Sequence, residues 1–358
     1  MMRILALVTD AFGAGGGIAR YNQDLLSALA QSGRVSDITV LPRFAAGTPS
    51  TPAKVRQLRP SPDRSSWIAR SISLAVRQRF DVIFCGHLNA LPLAALIARL
   101  RRSFLWAQVH GIEAWQPRGA AWREGLATAA LVTSVSRHTR QKLLAWADVA
   151  PHRVRVLPNT IDPIYQPRPA DPKLKASLGL AGKRVILTVG RLSASERYKG
   201  HDRIIEALPE VLGQVPDAMY VIVGSGDDQP RLAELARETG VADRVIFAGQ
   251  VPGRELPDYF AIADVFAMPS TGEGFGIVFL EAAASGLPVI GGNRDGSLDA
   301  LADGAIGRAV DPDSREELVA ALTQALTGRA PRQTDAVRRF AFSSFAEHVD
   351  QLVRILGR

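Results

Sequence analysis

Two glutamates eight positions apart, Glu273 and Glu281, stand in TGEGFGIVFLEAAASGLPVIGG (271–292), a run otherwise apolar and bracketed by glycines. An ionised carboxylate taken out of water costs several kcal/mol unless donors meet it. The two acids therefore either reach solvent or receive a ligand rich in hydroxyls. The preceding DVFAMPS reads as a strand, so Thr271–Gly274 form the loop beyond its carboxyl end. A helix is expected from about Gly276 to Gly286, with Glu281 one to two turns inside it. The N–H groups of Phe275, Gly276 and Ile277 then lie between the acids and offer an anion site. Acceptors flanking an anion site suit a ligand with hydroxyls on both sides of a phosphate bridge, which describes a nucleotide sugar.

Cations and glycines add to this set. Arg191 follows RVILTVG, and SASERYKG brings Lys199 eight residues later. Together they would set about two positive charges on a diphosphate without a metal; on these residues alone they are equally two surface cations. TDAFGAGGGIARY (9–21) is a strand end, a glycine loop and a helix start, where Gly16 and Gly17 either approach a phosphate or make a tight turn. It fails as a dinucleotide fingerprint, because Ile18 stands where the last glycine belongs and ITVLPR ends in Arg43 instead of an acid. His110 follows FLWAQV and His87 follows DVIFCG, both at strand carboxyl ends. A histidine so placed is as a rule a hydrogen-bonded structural residue, yet both would face a ligand cleft at that edge. The Asp-x-Asp pattern of metal-using transferases occurs only as DPD (311–313), and Asp227 and Asp228 read as the cap of a helix beginning near Pro230. No His, Cys and carboxylate set has metal-ligand spacing. Neither a metal nor a cofactor is expected.

The elements that must position these residues alternate. RILALVT (3–9), DITVLP (37–42), DVIFCG (81–86), SFLWAQVH (103–110), LVTSVS (131–136) and RVRVLPN (153–159) read as strands, separated by amphipathic helical stretches such as 19–33. NTIDPIYQPRPADPK (159–173) breaks the pattern with four prolines and reads as a linker. The alternation restarts with RVILTVG (184–190), MYVIVGSG (219–226), RVIFAG (244–249), DVFAMPS (264–270), LPVIGG (287–292) and GRAVDP (307–312). Strand–helix alternation predicts parallel sheets covered on both faces. The expected fold is α/β, two Rossmann-like doubly wound parallel-sheet domains facing a cleft that holds the ligand at the strand carboxyl ends. The boundaries are 1–160, a linker 161–173, a second domain 174–338, and a helix 339–358 that closes the second domain or returns to the first. The Pro-, Ser- and Arg-rich stretch 45–67 reads as a mobile loop.

Composition bounds the class. The chain has 358 residues, 47% hydrophobic and 22% charged, which fits about two soluble globular domains. Its lone cysteine, Cys85, excludes an internal disulfide framework and a cysteine metal cluster, in keeping with a reducing cytoplasm. The start is too short in apolar residues for a signal peptide, and ALPLAALIA (90–98) ends at arginines far short of a membrane span. The net charge of +8 is uneven: residues 1–165 carry 21 Lys+Arg against 9 Asp+Glu, and 166–358 carry 22 against 26. A basic first half beside a mildly acidic second suggests that one domain faces an anionic surface or ligand.

The GEGFGIVFLEAAASGLPVIG block, with TVGRL…KG, VIVGSGDD, DVFAMPS and VLPNTID, resembles the retaining GT-B glycosyltransferases of family four (group 1), essentially end to end. The resemblance implies that Glu273 contacts donor-sugar hydroxyls and Glu281 holds the ribose. It also implies that Arg191 and Lys199 clamp the diphosphate, Gly16 and Gly17 lie near the phosphates, and His110 stands beside the reaction centre. Phe275, Gly276 and Ile277 match the backbone donors, and Gln250 and Val251 fall where the base is contacted. The likeness loosens after PVIGG: many relatives have a Pro-Glu pair where this chain reads NRDGSLDAL, and no site is assigned there. The implied activity is retaining, metal-independent transfer of a hexose from GDP-mannose or a UDP-hexose to a saccharide or lipid-linked saccharide, in cell-surface polysaccharide or glycolipid synthesis. The alternatives are a non-catalytic nucleotide-sugar-binding protein and a nucleotide-sugar epimerase. Domain closure is expected to exclude water. The expected location is the cytoplasm, peripheral at the inner face of the membrane through the basic domain, with no nucleic-acid partner.

Overall fold

The structure, a computed structural model, describes residues 1–44, 50–61, 63–328 and 335–357. The chain divides into two compact units, Met1–Thr160 with Phe340–Arg358, and Ile161–Arg339. The first unit carries strands β1 Met2–Val8, β2 Val35–Pro42, β3 Val55–Gln57, β4 Val82–Cys85, β5 Phe104–Val109, β6 Leu131–Ser134 and β7 Val154–Val156. Its helices are α1 Gly17–Gln31, α2 Arg64–Arg77, α3 Leu91–Arg101, α4 Ala120–Thr128 and α5 Arg137–Leu144. The second carries α6 Pro172–Ser177, β8 Arg184–Val189, α7 His201–Gln214, β9 Ala218–Val223, α8 Gln229–Glu238, β10 Val245–Gly249, α9 Leu256–Ile262, β11 Val265–Met268, α10 Ile277–Ala284, β12 Val289–Gly292, α11 Ser297–Ala300, β13 Arg308–Val310 and α12 Arg315–Leu326. The last helix, α13 Phe342–Leu356, belongs to the first unit.

The strand orders are β3-β2-β1-β4-β5-β6-β7 and β10-β9-β8-β11-β12-β13. All described strand pairs are parallel. Helices cover both faces, so β4, β9 and β11 are buried at every residue, and the sequence accordingly shows unbroken apolar runs there. In each sheet the order reverses once, between β1 and β4 and between β8 and β11, and such a switch point is where strand ends splay to admit a ligand. Helix starts are fixed by side-chain acceptors: Ser136 caps α5 through the N–H of Thr139, and Ser314 caps α12 through that of Glu317.

Two expectations change. Residues 45–49 and 62 of the anticipated mobile loop lie outside the described residues. The rest of 45–67 contributes β3, paired to β2 with Val55 opposite Ile38, and the first turn of α2, capped by Asp63. A three-residue strand with one buried apolar side chain is too short to show a period. The linker is also no free tether: Tyr165 packs edge-on against Phe260 at 5.6 Å, and Arg168 pairs with Asp258 at 3.0 Å, both within the second unit. At the other end, α13 packs along α1, with Phe345 edge-on to Tyr21 at 5.9 Å and the Ser32 hydroxyl donating to Asp350 at 2.7 Å.

Candidate active site

At the switch point of the second unit, β8 and β11 deliver the chemistry. Gly190 and Arg191 leave β8, and Ala194–Lys199 wind into a 3-10 stretch that Gly200 ends. This winding brings Lys199 back beneath the β11 loop, where its Nζ donates to Glu273 Oε1 at 2.6 Å. Both side chains are nearly buried, 12% and 13% exposed. Glu196, one turn before Lys199, lies 3.6 Å from the same ammonium and pairs with the Arg191 guanidinium. Arg191 is largely exposed. Burial alone would lower the Lys199 pKa, but the charges of Glu273 and Glu196 and the phenol of Tyr198 outweigh it and hold the ammonium above its ordinary value. The two positive charges expected from sequence are thus met by two acids, Glu196 and Glu273. Glu196 was missed, although it stands in SASERYKG between the two cations.

The Glu273 backbone is held from β12's side. Its N–H donates to Asp295 Oδ2 at 2.7 Å, and its carbonyl accepts from the N–H of Gly296 at 2.8 Å. Asp295 is 1% exposed. Its carboxylate also accepts from the Ser270 hydroxyl at 2.8 Å and the Ser297 N–H at 2.9 Å. Burial pushes the Asp295 acid above its usual range, against those three donations. This is the NRDGSLDAL segment to which no site was assigned, and an acid before a glycine there carries no sequence signal of burial.

The helix after Glu273 starts one residue later than expected, at Ile277, because Gly276 takes φ +84° as its cap. A Cβ there would sit 2.5 Å from the Phe279 ring. Phe275 is buried, Gly276 and Ile277 half-buried. Glu281 is the fifth residue of α10, half-buried, one turn beyond the helix N-terminus. Gln250 and Val251 follow β10 at the sheet edge, two strands from β8, Gln250 exposed and Val251 half-buried. The structure does not bring these two against the Arg191–Glu273 cluster. Asp227 and Asp228 do not cap α8 with their carboxylates. Arg197 and Arg231 take Asp228 at 2.8 and 2.6 Å, and Asp227 accepts from the N–H of Ala194 at 2.8 Å. Guanidinium forks outcompete a helix N–H for the same oxygen.

In the first unit the switch point carries the glycine loop after β1 and the two histidines. Gly16 caps α1 at φ +97°, and both Gly16 and Gly17 are exposed. The loop is braced by amide side chains. Gln57 of β3 exchanges hydrogen bonds with the N–H and carbonyl of Phe12, at 3.1 and 2.8 Å. Gln23 donates to the carbonyls of Ala11 and Ala14. His110 Nε2 donates to the Gly86 carbonyl at 2.9 Å, its N–H reaches Glu113, and its ring lies edge-on to Tyr21 at 5.2 Å. His87 stacks near it at 6.1 Å and accepts the Asn89 N–H on Nδ1. Burial lowers the pKa of both imidazoles, partly offset by Glu113. His110 is therefore neutral near pH 7, with Nε2–H directed inward and Nδ1 left as an acceptor. Among the described residues no group of three or more His, Cys, Asp or Glu could hold a metal ion.

Two sheets of this topology, with a cation–acid cluster at one switch point and a glycine loop with a neutral histidine at the other, define a GT-B architecture. The family model described as glycosyl transferases group 1 matches residues 171–339, and that of glycosyltransferase family 4 matches 15–164. The chain belongs to this glycosyltransferase family. Among curated relatives, the GDP-mannose-dependent alpha-(1-6)-phosphatidylinositol monomannoside mannosyltransferase of Mycolicibacterium smegmatis is 34% identical over 69% of this chain and 68% of its own length. The D-inositol 3-phosphate glycosyltransferase of Acidothermus cellulolyticus is 37% identical over 53% of this chain and 47% of its own. Among solved structures, Anabaena Alr3699/HepE in complex with UDP and glucose aligns over 99% of this chain and 100% of its own, with a TM-score of 0.77 at 21% identity. That likeness shows the fold.

Proposed function

We propose that the protein is a retaining, metal-independent hexosyltransferase that moves mannose from GDP-mannose to a lipid-linked, inositol-containing glycolipid. The donor and acceptor classes follow those named for its mannosyltransferase and inositol-phosphate relatives. The observation that carries the reading is the Lys199–Glu273 ion pair at the β8–β11 switch point, with Arg191 and Glu196 beside it.

In this reading the Glu273 carboxylate accepts from hydroxyls of the sugar to be transferred, and Glu281 accepts from the ribose. Arg191, Lys199 and the N-terminus of α10 meet the diphosphate, while Gln250 and Val251 adjoin the base. As the anomeric C–O bond to phosphate lengthens, positive charge grows on the sugar ring and negative charge on the departing diphosphate. Cations already in place lower that barrier by several kcal/mol, since they need no reorganisation during the reaction. The acceptor hydroxyl attacks on the face the diphosphate leaves, and its proton passes to the leaving phosphate oxygen. One glycosidic bond forms as one phosphoester bond breaks, and the anomeric configuration is kept. In the first unit, Gly16 and Gly17 offer backbone N–H groups to phosphate, and His110 offers the Nδ1 acceptor to a sugar hydroxyl. The basic N-terminal half docks on anionic lipid, where such an acceptor resides.

The test is transfer from GDP-mannose to a phosphatidylinositol mannoside in the presence of EDTA, with UDP-glucose as a parallel donor, and NMR of the product's anomeric proton. Undiminished transfer giving an α-linked product is expected. A β-linked product, or turnover that EDTA abolishes, overturns the reading.

A further inference from the structure

We propose that Asp295 is a positioning residue for the sugar-binding acid Glu273, an inference that rests on the reading of Glu273 above. Glu273 stands in an irregular loop, and nothing in regular secondary structure fixes its direction. Instead both of its backbone groups are taken by one dipeptide, the N–H by the Asp295 carboxylate at 2.7 Å and the carbonyl by the Gly296 N–H at 2.8 Å. Two bonds on either side of one Cα set the peptide planes that flank it, and hence the direction of its Cβ. The clamp is itself anchored. Asp295 Oδ2 accepts from the Ser270 hydroxyl as well as from Glu273, and Oδ1 accepts the Ser297 N–H. Ser270 Oγ is in turn 3.0 Å from Ser297 Oγ. The two segments approach so closely that a Cβ on Gly296 would lie 2.1 Å from the Gly274 carbonyl oxygen. Lys199 then finds the Glu273 carboxylate where the clamp has aimed it.

The chemistry requires a carboxylate here. Donors approach both oxygens, so the group must accept at each. An asparagine has a single acceptor oxygen, and either orientation turns its NH2 toward a backbone N–H. Buried donors left without acceptors move until they find one. A displacement of about 1 Å at a reacting group costs on the order of a hundredfold in rate. Asp295 touches no substrate in this account; it acts only through Glu273.

The experiment uses the full chain with Asp295→Asn. Amide hydrogen exchange of the segment holding Glu273 should quicken by roughly tenfold or more, with the rest of Ile161–Arg339 unchanged. Transfer should fall about ten- to a hundredfold in kcat, while GDP affinity stays within about twofold, because the nucleotide itself does not touch Glu273 in this reading. In a Glu273→Ala background the same change should have no further effect, since the residue it positions is gone. Unchanged exchange at Glu273, exchange that quickens throughout the second unit, or a loss that multiplies with Glu273→Ala each overturns the proposal. Should Asp295→Asn fold poorly, Ser270→Ala removes one donor and keeps the carboxylate, and a smaller loss of the same pattern is expected. A wild-type chain that transfers no sugar would sink the proposed function, and the exchange result would still decide whether Asp295 holds Glu273.

Discussion

His201 opens α7 and is 4% exposed, and burial pushes its imidazole pKa down to about 4 from an ordinary 6.5. The Tyr220 hydroxyl donates to Thr188 at 2.9 Å, so at 3.2 Å from Tyr220 the histidine Nδ1 is the donor. Its Nε2 is buried without a hydrogen-bond partner. A folded-state pKa below the unfolded value means that the unfolded chain binds the proton first as pH falls. The stability this imidazole contributes is complete above pH 6.5 and is lost on the way down to about 4, on the order of 3 kcal/mol in all. Urea midpoints of the wild type and of His201→Asn, measured from about pH 7.5 to 4.5, should converge as the pH drops. Parallel lines would contradict a neutral buried ring.

The same chain of groups ties elements together, α7 to β9 through Tyr220, then β8 through Thr188, whose hydroxyl donates to the Ala267 carbonyl on β11. Four elements around the second switch point are thereby fixed by polar groups that no hydropathy pattern reveals. What was legible in sequence was the repeat of apolar runs and amphipathic helices, and it located twelve of the thirteen strands among the described residues. The exception, β3, has only Val55 to bury, and its pairing partner Ile38 lies seventeen residues upstream. The helix over 277–284 was legible from Gly276 and Gly286. The clamp on Glu273 was not, because Asp295 is twenty-two residues away and its bonds go to backbone groups that carry no sequence signature. Glu196 was equally silent: a glutamate in a short polar turn reads as solvated until the 3-10 winding turns it toward Arg191 and Lys199. That Arg191 and Lys199 share one edge was legible, since strand-end position and spacing suffice to place them there.

At the scale of the whole molecule, charge is the property that remains to be used. The first half carries the excess of Lys and Arg, and Arg101 and Arg102 stand at the end of α3 beside the exposed Leu96, Leu100 and Phe104. Among the described residues no helix is long and apolar enough to cross a membrane. Each cation close to an anionic lipid surface contributes about 1 kcal/mol, an attraction that salt screens. The chain should therefore sediment with vesicles containing phosphatidylinositol or phosphatidylglycerol at low salt and be released as salt rises. Equal binding to neutral phosphatidylcholine vesicles, or none to either, would discard membrane docking without touching the catalytic account. That account turns on Glu273, and Glu273→Ala tests it most directly. Lys199 keeps Glu196 as a partner when Glu273 is truncated, so the cation cluster and the fold should survive. Transfer from GDP-mannose is then expected to fall by about a hundredfold or more, with GDP still bound within about threefold of wild type by calorimetry. Full turnover in that variant, or GDP affinity lost in step with turnover, would contradict the assignment of this carboxylate to the sugar.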